Sequence, residues 1–442
     1  MSDKKRFLVN SGWMVGQQIY SMLLSLIVGA LSARYLGPSN FGLINYGASL
    51  ISFFNTLSQL GISGVIVNEM IKRPEKQGDY LGTALVMRLI VSAISIPSLM
   101  FIIRWLEPNN PLLYTVTFFQ AISIVLCSYE VLVYWFQMKL KMQTVSLATM
   151  LALTVVSIWK SILLINKGSV ELFALSVSIQ ALVSGIFVVI IFIKKAKVKL
   201  HFSINDARYI YKHSSNFIVA DLAVVLYTQI DKLMIGKMLN EEDVGYYSAA
   251  MNLASMWMFV AAAVIESSRS LIISYKQSNQ ELYLKRYKQV LLGVTLISLF
   301  FCTAFTFLGW IAVYVIYGKE FMPAAVPLCL LVWSNYFALV GHTRSIWIAA
   351  ESYYKYPKYF TVFGAVLNVI LNYFFILNMG KEGAALATLL TQFFVVLVGP
   401  LLFAETRPFV KIYIESFCCF SEVFENGKAM LIEKLKIFKK KL

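Results

Sequence analysis

Long apolar runs dominate the chain, broken at short intervals by polar stretches. A helix needs about 20 predominantly apolar residues to cross the hydrocarbon core of a bilayer. Twelve segments reach that length: 9–33, 41–66, 81–104, 111–135, 144–166, 171–193, 214–236, 245–268, 289–316, 324–350, 358–378 and 383–404. The breaks between them carry turn chemistry, as in Gly37-Pro38-Ser39-Asn40, Pro108-Asn109-Asn110-Pro111 and Asn166-Lys167-Gly168. The pattern predicts an all-α integral membrane protein with about 12 transmembrane helices.

Composition narrows the class further. The 442 residues are 59% hydrophobic and 14% charged, against about 45–50% and about 25% in soluble chains. That leaves too little polar surface for a soluble enzyme and too much apolar material for a disordered chain. The N-terminal MSDKKR precedes a long apolar run without a convincing cleavage site, so the first segment is expected to stay as a helix. The five cysteines (Cys127, Cys302, Cys329, Cys418, Cys419) show no metal-type spacing. His201, His213 and His342 are too few and too scattered for a metal centre. The Gly-Lys pairs at Gly236, Gly318, Gly380 and Gly427 are followed by Met, Glu, Glu and Ala, so none is a phosphate-cradling loop.

The net charge is +16, from 39 Lys+Arg against 23 Asp+Glu. Its distribution sets an orientation. With the N-terminus in the cytoplasm, 29 basic residues fall in cytoplasmic segments, 6 in outer loops and 4 within spans. Cytoplasmic loops of membrane proteins concentrate Lys and Arg, so both termini are expected inside. The basic connector 194–213 would join an N-terminal six-helix lobe, 1–193, to a C-terminal six-helix lobe, 214–404. In the remainder, 405–442, Leu431, Leu435, Phe438 and Leu442 recur at near-helical spacing among Lys434, Lys436 and Lys439 to Lys441. That predicts a cytoplasmic basic amphipathic tail on an anionic membrane surface.

The two halves carry an internal repeat. Leu36-Gly-Pro-Ser-Asn-Phe-Gly42 aligns with Leu239-Asn-Glu-Glu-Asp-Val-Gly245 at an offset of 203, with Arg34 against Lys237. Each copy lies between the first two spans of its half. An offset of six spans preserves orientation, which predicts two lobes related by a pseudo-two-fold along the membrane normal, with the substrate path between them.

With these residues in view, the chain resembles the Wzx-like oligosaccharide flippases, O-antigen and polysaccharide repeat-unit transporters of the multidrug/oligosaccharidyl-lipid/polysaccharide exporter superfamily. The stretches that carry the resemblance are Arg34-Tyr-Leu-Gly-Pro-Ser-Asn-Phe-Gly42 with Leu60-Gly61, then Asp231-Lys-Leu-Met-Ile-Gly236 leading into Val244-Gly-Tyr-Tyr-Ser-Ala-Ala250. A third is Asn368-Val-Ile-Leu-Asn372 with Gly383-Ala-Ala-Leu-Ala-Thr388. With the twelve-span plan it covers 1–404. It implies alternating access and transport of undecaprenyl-diphosphate-linked oligosaccharide to the outer leaflet of a bacterial inner membrane. It also implies membrane lipids, a polysaccharide polymerase and chain-length machinery as neighbours in lipopolysaccharide or related biosynthesis. No cofactor is expected beyond a coupling H+ or Na+, and no nucleic acid as partner.

Charges within spans are the candidate chemistry, because each costs roughly 2.5–3.5 kcal/mol at the bilayer centre on insertion scales. Arg88, Glu130, Asp221 and Arg344 lie five to seven residues from the cytoplasmic end of a span, roughly 10 Å deep at helical rise. They are expected to line a cavity. Arg88 and Arg344 would engage a diphosphate, because guanidinium forks suit phosphate oxygens. Lys160 would be a later station. Glu130 and Asp221 would hold the arginines between substrates or bind the coupling ion. The bland readings are snorkelling of the long cations and a structural ion pair. Asp231 and Lys232, near an outer loop, are expected to be gating or structural, and residues such as Asn335, Asn368, Asn372 and Trp257 to contact sugars or neighbouring helices. The competing function is a multidrug or organic-cation antiporter of the same superfamily, which would favour net acidic residues in the cavity. With the span-terminal residues Arg104, Glu171 and Lys358 set aside, the span charges are instead four basic and four acidic. A polymerase would need large outer loops, which are missing from the pattern, so no enzyme is expected.

Overall fold

The computed structural model describes residues 3–420. The expected tail helix, with Leu431, Leu435, Phe438 and Leu442, lies outside the described residues. Every expected span falls mainly on helix, with span two broken at Leu60-Gly61, and no strand occurs among the described residues. Nine helices there are long and apolar enough to cross a membrane, and two of them are double length: Gly12–Gln59 with 48 residues and Pro357–Leu402 with 46.

The double lengths arise because two turns are tighter than their sequences predict. Spans one and two share the helix Asp3–Gln59, which departs from helical geometry at Gly37 alone (φ 69°, ψ 171°). Spans eleven and twelve share Pro357–Phe393, broken at Gly380 (φ 61°, ψ −140°). Both φ values lie where a Cβ is disfavoured, so glycine permits the turn without extra residues. Span seven lies on Ile204–Met238, more polar than the nine because it carries Asp221, Asp231 and Lys232. Span eight is longer than its apolar run. It comprises Glu241–Ser255 and Met258–Ser278, interrupted at Met256-Trp257. The basic stretch 269–288 is built into helix ends rather than a loop. Only Asn279 interrupts it, its Oδ1 accepting from the Leu282 N–H at 2.9 Å as a helix cap.

The chain divides into two compact units. The first holds Met1–Ser248 with Ile316–Phe321, the second Ala249–Val315 with Met322 onward. In the first, an apolar core gathers Ile62, Ile66, Met70, Tyr80, Leu81, Trp135, Phe136, Phe192 and Ile210. Trp135 meets Phe136 and Phe192 edge-on, with ring centroids 5.1 and 5.6 Å apart. Within lipid, such packing rather than exclusion of water holds helices together.

The two copies of the repeat meet inside the first unit. A Cβ on Gly42 would lie 1.7 Å from the Glu241 carbonyl oxygen and 2.7 Å from Gly245 N. A Cβ on Gly245 would lie 2.1 Å from the Pro38 carbonyl oxygen and 3.2 Å from Gly42 N. The equivalent glycines of the repeat are therefore the point of backbone-to-backbone contact between its copies, which no side chain larger than hydrogen would permit. Around them Arg34 Nε donates to the Ile316 carbonyl at 2.9 Å, and Phe41 packs edge-on against Phe321 at 5.9 Å.

Candidate functional site

Arg88 sits in the first unit on the helix Gln77–Leu106 and is 1% exposed. Its Nη2 donates to Glu130 Oε2 at 2.7 Å. Glu130 opens the helix Glu130–Met138 directly after a 3-10 turn, Cys127–Tyr129. The tighter turn re-aims the residues that follow it relative to a continuous α-helix. The pair is lopsided: the Glu130 side chain is 37% exposed, and Arg88 Nε is buried without a partner among the described residues. Arg88 thus holds one accessible counter-ion and keeps an unspent donor.

The other candidates of the first unit stay apart from this pair. Lys160, on Met142–Ile165, and Asp221, on Ile204–Met238, are half-buried, and neither makes a hydrogen bond or ion pair among the described residues. Asp231 is buried and accepts a hydrogen bond from the Tyr247 hydroxyl. One turn on, Gly236 packs against the Tyr46 ring, where a Cβ would lie 2.8 Å from a ring carbon. The Tyr46 hydroxyl donates to Glu107 at 3.4 Å, and Lys237 Nζ reaches the Leu106 carbonyl at 2.7 Å. These contacts tie three inter-span turns together.

Arg344 belongs to the second unit and is 6% exposed. No carboxylate pairs with it among the described residues. Its Nη1 donates to the carbonyls of Val395 and Val396, at 2.9 and 3.2 Å. These belong to a π-helical turn, Phe394–Val398, whose i→i+5 pairing interrupts the α-helical ladder and leaves carbonyls available to outside donors. The guanidinium lies 4.4 Å from the Phe360 ring centroid and 5.8 Å from that of Phe409, at cation–π distance. In the same unit Asn335 Nδ2 donates to the Ala254 carbonyl at 2.9 Å, and Asn372 Nδ2 to Asn368 Oδ1 at 3.0 Å. Trp257 stacks on Phe301 at 5.0 Å. These are contacts of packing helices.

Sequence reasoning missed a second pair of related features. In the first unit Arg73 Nη1 donates to the Tyr80 hydroxyl at 3.3 Å. In the second, Lys276 Nζ lies 5.0 Å over the Tyr283 ring. The two pairs stand at the repeat's own offset of 203, so a longer search at that offset would have found them. The second pair joins a carboxylate directly; beside the first, the neighbouring Lys72 and Tyr209 do so. Lys276 Nζ approaches Glu351 Oε2 to 2.7 Å and Tyr283 donates to Glu351 Oε1 at 3.1 Å. Lys72 Nζ approaches Glu69 Oε1 to 2.9 Å and Tyr209 donates to Oε2 at 3.1 Å.

The Glu69 cluster, outside the spans, has a pH signature. The Lys72 ammonium foremost, with the Tyr209 hydroxyl, holds the Glu69 carboxyl below its ordinary 4.5 despite burial. A depressed folded pKa contributes stability that is complete above the unfolded value and is lost as pH falls through the folded one. Wild type should therefore lose more stability than Glu69→Gln on acidification below 4.5. Unfolding temperatures of both across that range check this; parallel curves would refute it.

Known proteins share this architecture. The polysaccharide biosynthesis protein family matches residues 7–268, and the MatE family matches 217–374. The "Probable low-salt glycan biosynthesis flippase Agl15" of Haloferax volcanii is 24% identical over 365 residues, 81% of this chain and 75% of that protein. Among solved structures, the lipid II flippase MurJ in an inward closed conformation superposes with a TM-score of 0.70 at 16% identity, covering 93% of this chain and 92% of that one. An inward-facing multidrug resistance MATE transporter of the MOP superfamily gives 0.65 at 15% identity, covering 89% and 96%. At such identities the structures speak for the fold, and the family match spans more than half of the chain. It is an all-α, multi-pass membrane protein with the two-lobed MOP fold, and it belongs to the polysaccharide biosynthesis protein family.

Proposed function

We propose that this protein is a flippase that carries a lipid-linked, diphosphate-bearing oligosaccharide from the cytoplasmic to the outer leaflet by alternating access, with undecaprenyl as the lipid and both termini in the cytoplasm. The observation that carries the reading is the Arg88–Glu130 pair. A buried guanidinium with one accessible carboxylate partner and a spare donor is an exchangeable anion site. A diphosphate supplies more acceptor oxygens in a forked geometry than a single carboxylate can, so it displaces Glu130 when it arrives. Glu130 then takes up a proton or cation, which is where ion coupling enters. Arg344, neutralised by no carboxylate among the described residues, contributes a standing positive potential to its own unit. Family membership and the glycan-flippase relative support the substrate class.

A strain lacking the protein is expected to accumulate undecaprenyl-linked repeat units facing the cytoplasm and to lose the surface polymer, with wild-type protein restoring both. The MatE match over 217–374 raises the antiporter as the second reading. Its signature would be no accumulation, together with new sensitivity to cationic drugs.

A further inference from the structure

Inside the first unit an open apolar groove of about 560 Å³ is walled by Leu85 and Leu89 from span three, Leu126 and Leu132 from span four, and Phe192 from span six. Its roof is the stretch that follows the helix Ser176–Ala196, where residues 197–203 run without helix before Ile204. That stretch is strapped onto span three through small residues. A Cβ on Gly78 would lie 2.1 Å from the Lys199 carbonyl oxygen, and one on Gly82 would lie 2.5 Å from that of His201. The His201 N–H donates to the Gly78 carbonyl at 3.3 Å, and the Ser203 N–H to Thr83 Oγ1 at 3.0 Å.

The strap alternates. Val198 and Leu200 line the groove. Lys197 and Lys199, with Lys194 and Lys195 at the helix end, are exposed and make no ion pair among the described residues. On the groove wall Ser128 Oγ is buried without a partner. An apolar slot, one unsatisfied hydroxyl and a rim of unpaired ammonium groups are the three parts of a site for a lipid with chain, ester and anionic phosphate. We propose that the groove holds one acyl chain of an anionic glycerophospholipid from the leaflet on the lysine side, its phosphate on Lys197 and Lys199 and its ester near Ser128. The lipid pins the strap that leads into span seven. The assignment needs only a membrane-embedded chain and stands whether or not the flippase reading holds.

Native mass spectrometry of the purified full-length protein tests it, with phosphatidylglycerol and phosphatidylcholine of identical acyl chains offered together. Wild type should retain phosphatidylglycerol over phosphatidylcholine, by roughly five-fold for each lysine engaged. A Lys197→Glu/Lys199→Glu protein should lose the preference while eluting as a monodisperse species. A Lys197→Gln/Lys199→Gln protein, which removes charge without reversing it, should show the same loss. Equal retention of the two lipids by wild type, or an undiminished preference in both variants, would overturn the site. One-for-one displacement of the phosphatidylglycerol by undecaprenyl phosphate would overturn the choice of occupant, because the groove would then belong to the prenyl carrier.

Discussion

Gly42→Ala and Gly245→Ala should each destabilise this protein by about 1–3 kcal/mol or more, the range for forcing a methyl group into close packing. The atoms in the way are backbone. The added Cβ would lie 1.7 Å from the Glu241 carbonyl oxygen in one case and 2.1 Å from that of Pro38 in the other. A flexible side chain could swing aside, but a carbonyl at a helix junction cannot move without carrying its helix with it. Each methyl therefore pushes the turn at Gly37-Pro38 away from the start of Glu241–Ser255. Gly293→Ala is the matched control, since a Cβ there meets nothing within 4 Å. Alanine's better helix propensity, worth up to about 1 kcal/mol, makes that variant neutral or slightly more stable. Unfolding temperatures of the three variants in the same lipid would decide the matter. If Gly42→Ala and Gly245→Ala unfold with Gly293→Ala, the repeat glycines do not meet as described.

That contact also shows what could be read from the chain and what could not. The glycines were visible as matched members of the repeat, and the twelve apolar runs found the helices. Hydrophobicity reports which residues avoid water, so it locates spans well. It is blind to how tightly two spans are joined, because a turn's length depends on backbone angles at one residue. Four residues at 37–40 read as a connector, yet Gly37 alone makes the bend. Span eight was drawn short for the converse reason. Its helix continues into polar residues, with Lys276 and Glu351 satisfying each other beyond the apolar run.

Within the candidate site, Arg88 and Glu130 were recognisable because buried charge is costly wherever it occurs. Their pairing across 42 positions depends on the 3-10 turn at Cys127–Tyr129, which leaves no compositional mark. The surroundings of Arg344 were less legible still. Two of its partners are backbone carbonyls of a π-helical turn, and carbonyls are present at every residue. Phe409 lies beyond the stretch covered by the family resemblance, where an aromatic residue reads as ordinary packing.

The pair Arg88–Glu130 should separate stability from transport when the two residues are changed singly and together. Glu130→Ala leaves a guanidinium that is 1% exposed with no carboxylate, and stranding a buried charge costs about 3–5 kcal/mol. Arg88→Met strands a carboxylate that is 37% exposed, which water reaches more readily, so its cost should be smaller. The double variant Arg88→Met/Glu130→Leu removes both charges and replaces them with apolar side chains of similar volume. Such replacements of buried ion pairs are often neutral or stabilising, so the double variant should regain most of the stability lost in Glu130→Ala. Stability and export then part company. A pair that only braces spans three and four would regain export along with its fold. A pair whose arginine exchanges Glu130 for a diphosphate would remain inactive, because methionine offers the anion no donor. Unfolding temperatures report the first quantity, and surface polymer in a strain carrying only the variant reports the second. A stable double variant that exports normally would remove Arg88 from the substrate path; a stable one that does not export places the guanidinium on it.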